Sequence, residues 1–127
     1  MRPAGIESAL LTGESLDGDY WIGTVPDLSN FYVVNYGSKY GDDPEAGVND
    51  FFARFEAKYG KKPDVSYGLR GYSAVQAWAK AANKAGSLDG DKVAAVLNTF
   101  DGEPLVIGPT TWTAERPKLT AQPRAAA

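Results

Sequence analysis

Residues 66–86 read SYGLRGYSAVQAWAKAANKAG and carry the longest helical pattern in the chain. Six apolar residues in it recur at spacings of three and four, which predicts that they share one side of a helix and face the core. They are Leu69, Tyr72, Val75, Trp78, Ala79 and Ala82. The other side, which includes Lys80 and Lys84, is polar. Gly86 follows the last periodic residue, at a position where a left-handed residue commonly ends a helix.

Two further helices are predicted around this one. Asp42 and Asp43 precede Pro44, an arrangement typical of an acidic N-cap with proline at the first helical position. Aromatic and aliphatic residues then recur at helical spacing as far as Gly60. After the long helix, Asp89 is the expected N-cap of a third, shorter helix.

The remaining apolar segments are predicted to be strands. Residues 6–12, IESALLT, suit a buried strand, and residues 30–38, NFYVVNYGS, are rich in aromatic and β-branched residues. Residues 20–27 contain Gly and Pro and receive no assignment. Near the end, residues 105–107 form a short strand that residues 110–113 could join as the second arm of a hairpin. The order of strands and helices predicts an α/β fold.

Composition excludes several classes of function. A chain of 127 residues, 43% of them hydrophobic and 23% charged, suits one globular domain. Its net charge of −3 leaves no basic stripe, so a nucleic acid partner is not expected. The absence of Cys and His excludes disulfides, thiolate catalysis and zinc ribbons, and removes the commonest general base. We therefore expect no enzyme and no cofactor.

Two long segments resemble a known family. Residues 51–86, FFARFEAKYGKKPDVSYGLRGYSAVQAWAKAANKAG, and residues 88–113, LDGDKVAAVLNTFDGEPLVIGPTTWT, resemble the second, C-terminal lobe of type I periplasmic binding proteins. These are the substrate-binding subunits of branched-chain amino acid ABC transporters, such as the Leu/Ile/Val-binding proteins. The resemblance implies a three-layer lobe fragment with a small, mostly parallel sheet flanked by about three helices. Residues 1–113 would form this partial lobe, and residues 114–127 an irregular tail.

The resemblance also implies a function without chemistry. Such proteins close two lobes over a small amino acid or amide and deliver it to an ABC permease. Glu14, in the polar loop after the first strand, would pair with the ligand's ammonium group, with Ser15 beside it. Tyr67 would lie near the ligand's side chain. The parent protein would be periplasmic or extracellular, but the sequence shows no signal peptide, so the chain as written would be cytoplasmic.

Other interpretations remain open from the residues alone. Glu14 is also explained as a solvated loop carboxylate, and Tyr67 as a core residue. The whole chain could be a small α/β interaction or structural domain without autonomous ligand binding, and an exposed lobe face could drive self-association. A metal or glycosidase site built from the acidic residues is disfavoured, because no spacing supports it. These residues are Asp17, Asp19, Asp42 and Asp43.

Overall fold

The computed structural model describes residues 5–25, 27–112 and 124–126. These residues form five strands, three helices and two short 3-10 turns. The strands are β1 (Leu10–Gly13), β2 (Phe31–Asn35), β3 (Glu103–Leu105), β4 (Gly108–Thr110) and β5 (Arg124–Ala126). The helices are α1 (Ala46–Tyr59), α2 (Tyr67–Ala85) and α3 (Gly90–Leu97), and the 3-10 turns are Glu14–Leu16 and Ile22–Thr24.

The larger sheet has the strand order β1-β2-β5. β1 runs parallel to β2, with Leu10 opposite Phe31, and β5 runs antiparallel to β2 on its other side. Among the described residues no helix is both long and apolar enough to cross a membrane. The predicted α/β class, with a small sheet and three helices, is confirmed. Most of the predicted irregular tail, residues 114–127, lies outside the described residues, and the strand at Arg124–Ala126 was not expected because the sequence there shows no strand periodicity.

β3 and β4 form a separate hairpin whose strands differ from the prediction. Leu105 pairs with Gly108, so Val106 and Ile107 form the turn rather than a strand. The apolar character of these two residues is explained by their tertiary contacts. Ile107 is buried in the core and the partly buried Val106 packs against it, while the Val106 N–H donates to Gln76 Oε1 of α2 over 2.8 Å. Val106 and Ile107 therefore have the composition of a strand because they pack against the core, although they form a turn.

The predicted helix ends hold at three positions. Gly60 and Gly86 adopt positive φ angles of 75° and 59° at the ends of α1 and α2. Asp89 caps α3, accepting a hydrogen bond from the Lys92 N–H. The start of α1 differs, because Asp43 Oδ2 accepts from the Ser38 N–H and Oδ1 from Glu45, and the helix begins after Glu45.

α2 buries only part of the side that its apolar spacing predicts, since Leu69 and Ala82 are buried as expected but the large residues between them are not. Its buried residues are Leu69, Ser73, Ala77, Ala81 and Ala82. The large side chains Tyr72, Val75 and Trp78 are instead 42%, 66% and 48% exposed. A row of mostly small residues at every fourth position lets α2 approach α3 closely, and this contact outweighs the larger apolar area of the opposite side.

The core lies among the helices and the hairpin. Its fully buried apolar residues belong to α1, α2, α3 and the region from Phe100 to Ile107. By contrast, most side chains of β1 and β2 are only partly buried, and Leu11 of β1 is largely exposed. The side chains of the two parallel strands are therefore less buried than those of the core among the helices and the hairpin.

Candidate functional site

The carboxyl ends of β1 and β2 and the start of α2 meet at one edge of the sheet. Glu14 begins the 3-10 turn directly after β1, and Tyr36 directly follows β2. Tyr67 and Arg70 lie in the first turns of α2. In open α/β sheets this edge is where ligands bind, since strand ends and helix starts leave a crevice there.

An ion pair lies at the centre of this edge. Arg70 Nη1 is 2.5 Å from Glu14 Oε1, and the side chains are 48% and 19% exposed respectively. The Arg70 guanidinium also lies over two aromatic rings, 5.7 Å from the centroid of Tyr36 and 5.6 Å from that of Tyr67. These distances are within the range of cation–π attraction. One guanidinium thus connects residues from three separate elements.

The structure brings two of the three sequence-predicted residues together. Glu14 and Tyr67 both contact Arg70, and the ring of Tyr67 is partly exposed rather than buried in the core. Ser15 lies in the same 3-10 turn and is exposed, and its side chain makes no hydrogen bond with any described residue. The roles of these three residues in ligand binding stay predictions.

Sequence reasoning missed Arg70 and Tyr36. Arg70 follows Tyr67 by three positions, so helical spacing alone would have placed them side by side. Its pairing with Glu14 joins distant parts of the chain and has no local signal. Tyr36 was included in a predicted strand, and only the tertiary structure shows that it lies against the guanidinium.

A buried carboxylate holds the elements of the site in place. Asp17 Oδ1 accepts from Asn35 Nδ2 over 2.9 Å, and its Oδ2 accepts from the Ser66 N–H over 2.8 Å. All three residues are buried. Asp17 therefore connects the turn after β1, the end of β2 and the residue that precedes α2. Hydrogen bonds to a buried carboxylate are among the stronger ones, which makes this a firm support for the neighbouring ion pair.

Further charged and polar groups near Asp17 connect the neighbouring loops. The buried Lys39 Nζ donates to the Asp64 carbonyl over 2.6 Å and lies 3.9 Å from Asp19 Oδ1. Partial burial raises the pKa of the Tyr40 hydroxyl above its ordinary value, and the carboxylates of Asp19, Asp17 and Asp42 raise it further. Across residues 5–25, 27–112 and 124–126, no group of three or more carboxylates is placed to hold a metal ion.

A cavity of about 190 Å³ lies beside the buried carboxylate of Asp17. Most of its lining is apolar, and Asp17, Gly18 and Tyr40 complete the wall. Its apolar lining residues are Leu16, Trp21, Ile22, Leu28, Phe31 and Val33. Neither Glu14 nor Arg70 lines this cavity, so it is separate from the ion pair.

Comparisons with known proteins agree with this architecture. The family model for periplasmic binding proteins matches residues 2–125. No sequence match was found among curated proteins. Among solved structures, a leucine binding protein, LivK from Thermotoga maritima, is similar over 99% of this chain and 38% of its own, with 18% identity and a TM-score of 0.70.

Two further structures share the fold. LivJ from Streptococcus pneumoniae, a branched-chain amino acid transporter substrate binding protein in complex with isoleucine, has 19% identity and a TM-score of 0.71, over 98% of this chain and 39% of that one. A protein assigned to a branched-chain amino acid ABC transporter from Rhodospirillum rubrum has 20% identity and a TM-score of 0.74, over 98% and 36%. This chain therefore spans less than two fifths of the length of each.

The match to the family model covers nearly the whole chain, well beyond the segments whose motifs carry the resemblance in the sequence. The solved structures share its strands and helices at TM-scores of 0.70 and above. The match to the family model thus confirms the resemblance to periplasmic binding proteins, and the solved structures show that the fold is the same. The chain belongs to the periplasmic binding protein family.

Proposed function

We propose that this chain is the lobe of a substrate-binding protein that captures a branched-chain or related amino acid for an ABC importer. The observation that carries the proposal is the contact of Glu14 and Tyr67 with one guanidinium, that of Arg70, at the carboxyl ends of the parallel strands. A carboxylate, a cation and exposed aromatic surface are the groups that bind a small amino acid.

The mechanism is capture without chemistry. The ligand's ammonium group pairs with the Glu14 carboxylate, and its side chain lies against the ring of Tyr67. A second lobe closing over this edge would exclude water, and the ion pairs would then be less screened. Because the ligand contacts both lobes only in the closed state, it shifts the population toward closure. The loaded protein then meets its permease on the periplasmic or extracellular side of the membrane.

A thermal-shift titration tests ligand capture directly. The purified chain is heated with leucine, isoleucine, valine and related amino acids and amides at millimolar concentration. A ligand at five times its Kd stabilises the folded chain by about 1 kcal/mol, which follows from RT ln(1 + [L]/Kd). We expect the melting temperature to rise with at least one amino acid.

Two variants make the result specific to the site. Glu14→Gln removes the carboxylate charge and should abolish the rise. Glu56→Gln removes the same charge from the exposed side of α1 and should keep it. If no compound raises the melting temperature of a chain that unfolds cooperatively, or if both variants respond as the unaltered chain does, the proposed capture site is wrong.

Self-association is a second candidate function, favoured by the exposed side of α2. Tyr72, Val75 and Trp78 are large, apolar and exposed along one stripe of this helix. Such a stripe is expected to bury itself against a second copy of the chain. Sedimentation velocity across a hundred-fold concentration range should show a dimer, which Trp78→Lys should dissociate and Ala53→Lys, on the exposed side of α1, should leave intact. A monomer at every concentration would exclude this function.

A further inference from the structure

The ion pair between Glu14 and Arg70 constrains the ligand's charges. If the site bound an ammonium group alone, that cation would approach a carboxylate whose Oε1 already lies 2.5 Å from Arg70 Nη1. The arriving cation would either be repelled by Arg70 or displace it and leave the guanidinium without its partner. Glu14 by itself therefore does not make this a good ammonium site.

Arg70 has unused capacity to bind an anion. A guanidinium carries five N–H donors and no acceptor, and its planar fork matches a carboxylate. Among the described residues, Glu14 is the one carboxylate that pairs with Arg70. The Arg70 side chain is 48% exposed, so its remaining donors can be reached from solvent. The rings of Tyr36 and Tyr67 restrict the guanidinium from two sides, which limits the positions an incoming anion can take.

We infer that Arg70 is a specificity-determining residue that binds the α-carboxylate of a zwitterionic amino acid while Glu14 binds its α-ammonium. This inference rests on the proposed function and names the ligand class more narrowly. In an α-amino acid the ammonium nitrogen and the carboxylate carbon are both bonded to Cα, so they lie about 2.5 Å apart. Glu14 Oε1 and Arg70 Nη1 are in direct contact, so the two protein charges lie next to each other, as the two ligand charges do. The two dipoles can therefore lie side by side in antiparallel orientation.

In this arrangement the Glu14 carboxylate can still bind the ligand's ammonium group although it is already paired with Arg70. The ligand gains one ion pair at each end, and the pair between Glu14 and Arg70 need only loosen rather than break. The four charges sum to zero, so closure over them buries no net charge. A ligand that lacks either charge still removes water from Glu14 and Arg70, but it leaves one of these two side chains without a new partner. The site should thus prefer amino acids to both amides and simple carboxylic acids.

The test compares matched compounds on the unaltered chain and its variants. L-leucine, L-leucinamide and 4-methylpentanoate share one side chain and differ only in their charged groups, and L-phenylalanine, L-phenylalaninamide and 3-phenylpropanoate form a second set. Dissociation constants are measured by isothermal titration calorimetry. We expect the unaltered chain to bind at least one amino acid ten-fold or more tightly than its amide and its acid.

Variants assign the preference to particular residues. Arg70→Gln should bring the ratio of amide to amino acid dissociation constants close to one, and Arg70→Lys, which keeps the charge but not the fork, should give an intermediate ratio. Arg54→Gln is the matched control, because Arg54 forms an exposed ion pair with Asp50 on α1. The ratio is taken within one variant, so partial unfolding of that variant cancels.

The outcomes separate this inference from the proposed function. If leucinamide or phenylalaninamide binds the unaltered chain as tightly as its amino acid, Arg70 does not bind the carboxylate, and ligand capture by Glu14 still stands. Unchanged ratios in Arg70→Gln also overturn the inference alone. If none of the six compounds binds the unaltered chain, both the inference and the capture of these amino acids are refuted.

Discussion

Gly37 allows the chain to pass closely over the contact between α1 and α2, just after the aromatic residue of the site. A Cβ at this position would lie 2.5 Å from Leu69 Cδ2 and 2.9 Å from Val48 Cγ1. Ordinary carbon–carbon contacts are about 3.5–4.0 Å, so the Leu69 side chain would have to move by about 1 Å. Leu69 and Val48 are both fully buried, which leaves them little room to move. Gly37→Ala should therefore destabilise the protein.

The magnitude follows from two opposing effects. Overpacking a core with one methyl group typically costs about 1–3 kcal/mol. Replacing glycine by alanine also reduces the freedom of the unfolded chain, which offsets about 0.4–1 kcal/mol of that cost. The net loss is about 1–2 kcal/mol. With a urea m-value of about 1.5 kcal/mol per M, the unfolding midpoint should fall by roughly 1 M.

Gly71 supplies the matched control. It lies inside α2, is exposed, and a Cβ there would meet nothing within 4 Å. Gly71→Ala should raise stability by about 0.5–1 kcal/mol, because glycine is a poor residue in a helix interior. Urea unfolding followed by circular dichroism at 222 nm measures both variants. If Gly37→Ala unfolds at the same urea concentration as the unaltered chain, or at a higher one, the close approach at Gly37 is not what the structure indicates.

Three further changes test the packing and the charges. The buried Ser73 hydroxyl has no hydrogen-bond partner among the described residues, so Ser73→Ala should raise the unfolding free energy by about 1 kcal/mol, and a clear loss in urea unfolding would show that the hydroxyl has a partner. Asp17→Ala leaves two buried donors unsatisfied and should cost about 2–4 kcal/mol in the same assay, whereas a loss below 1 kcal/mol would contradict its connecting role. Hydrogen bonds from Lys84 and Lys80 lower the pKa of Glu103 below its ordinary value of 4.5. The resulting stabilisation is present above the unfolded-state pKa and is lost as the pH falls through the folded-state pKa. The melting temperature of the unaltered chain should therefore fall below about pH 4.5, and that of Glu103→Gln should fall less steeply. Identical pH profiles for the two chains would refute this.

The sequence predicts the fold well where local chemistry decides it. Gly60, Gly86 and Asp89 end or begin helices for reasons that act within one turn of the chain, and all three predictions hold. On the buried side of α2 only Leu69 and Ala82 could be predicted in this way. Apolar spacing favours the side with Trp78, but helix packing selects the row of small residues that includes Ala77 and Ala81, and that choice depends on the partner helix.

The candidate site shows the same division. The positions of Glu14 after a strand and of Tyr67 at the start of a helix follow from the order of elements, which the sequence predicts. Arg70 does not follow from it, because an arginine in an exposed helical turn has no local feature that distinguishes it from a solvated cation. Glu14, its ion-pair partner, comes close to Arg70 only when β1, β2 and α2 assemble.

Stability does not account for the pairing of Glu14 with Arg70. A half-exposed ion pair contributes about 0–1 kcal/mol, and holding a long arginine side chain in one position costs conformational entropy of similar size. The connection between the turn after β1 and the start of α2 is already made by the buried carboxylate of Asp17, through its hydrogen bond to the Ser66 N–H. The ion pair is therefore nearly redundant for folding. Its charges are held at a reachable edge by a support that does not depend on them, which is the arrangement expected where a ligand, rather than the fold, uses those charges.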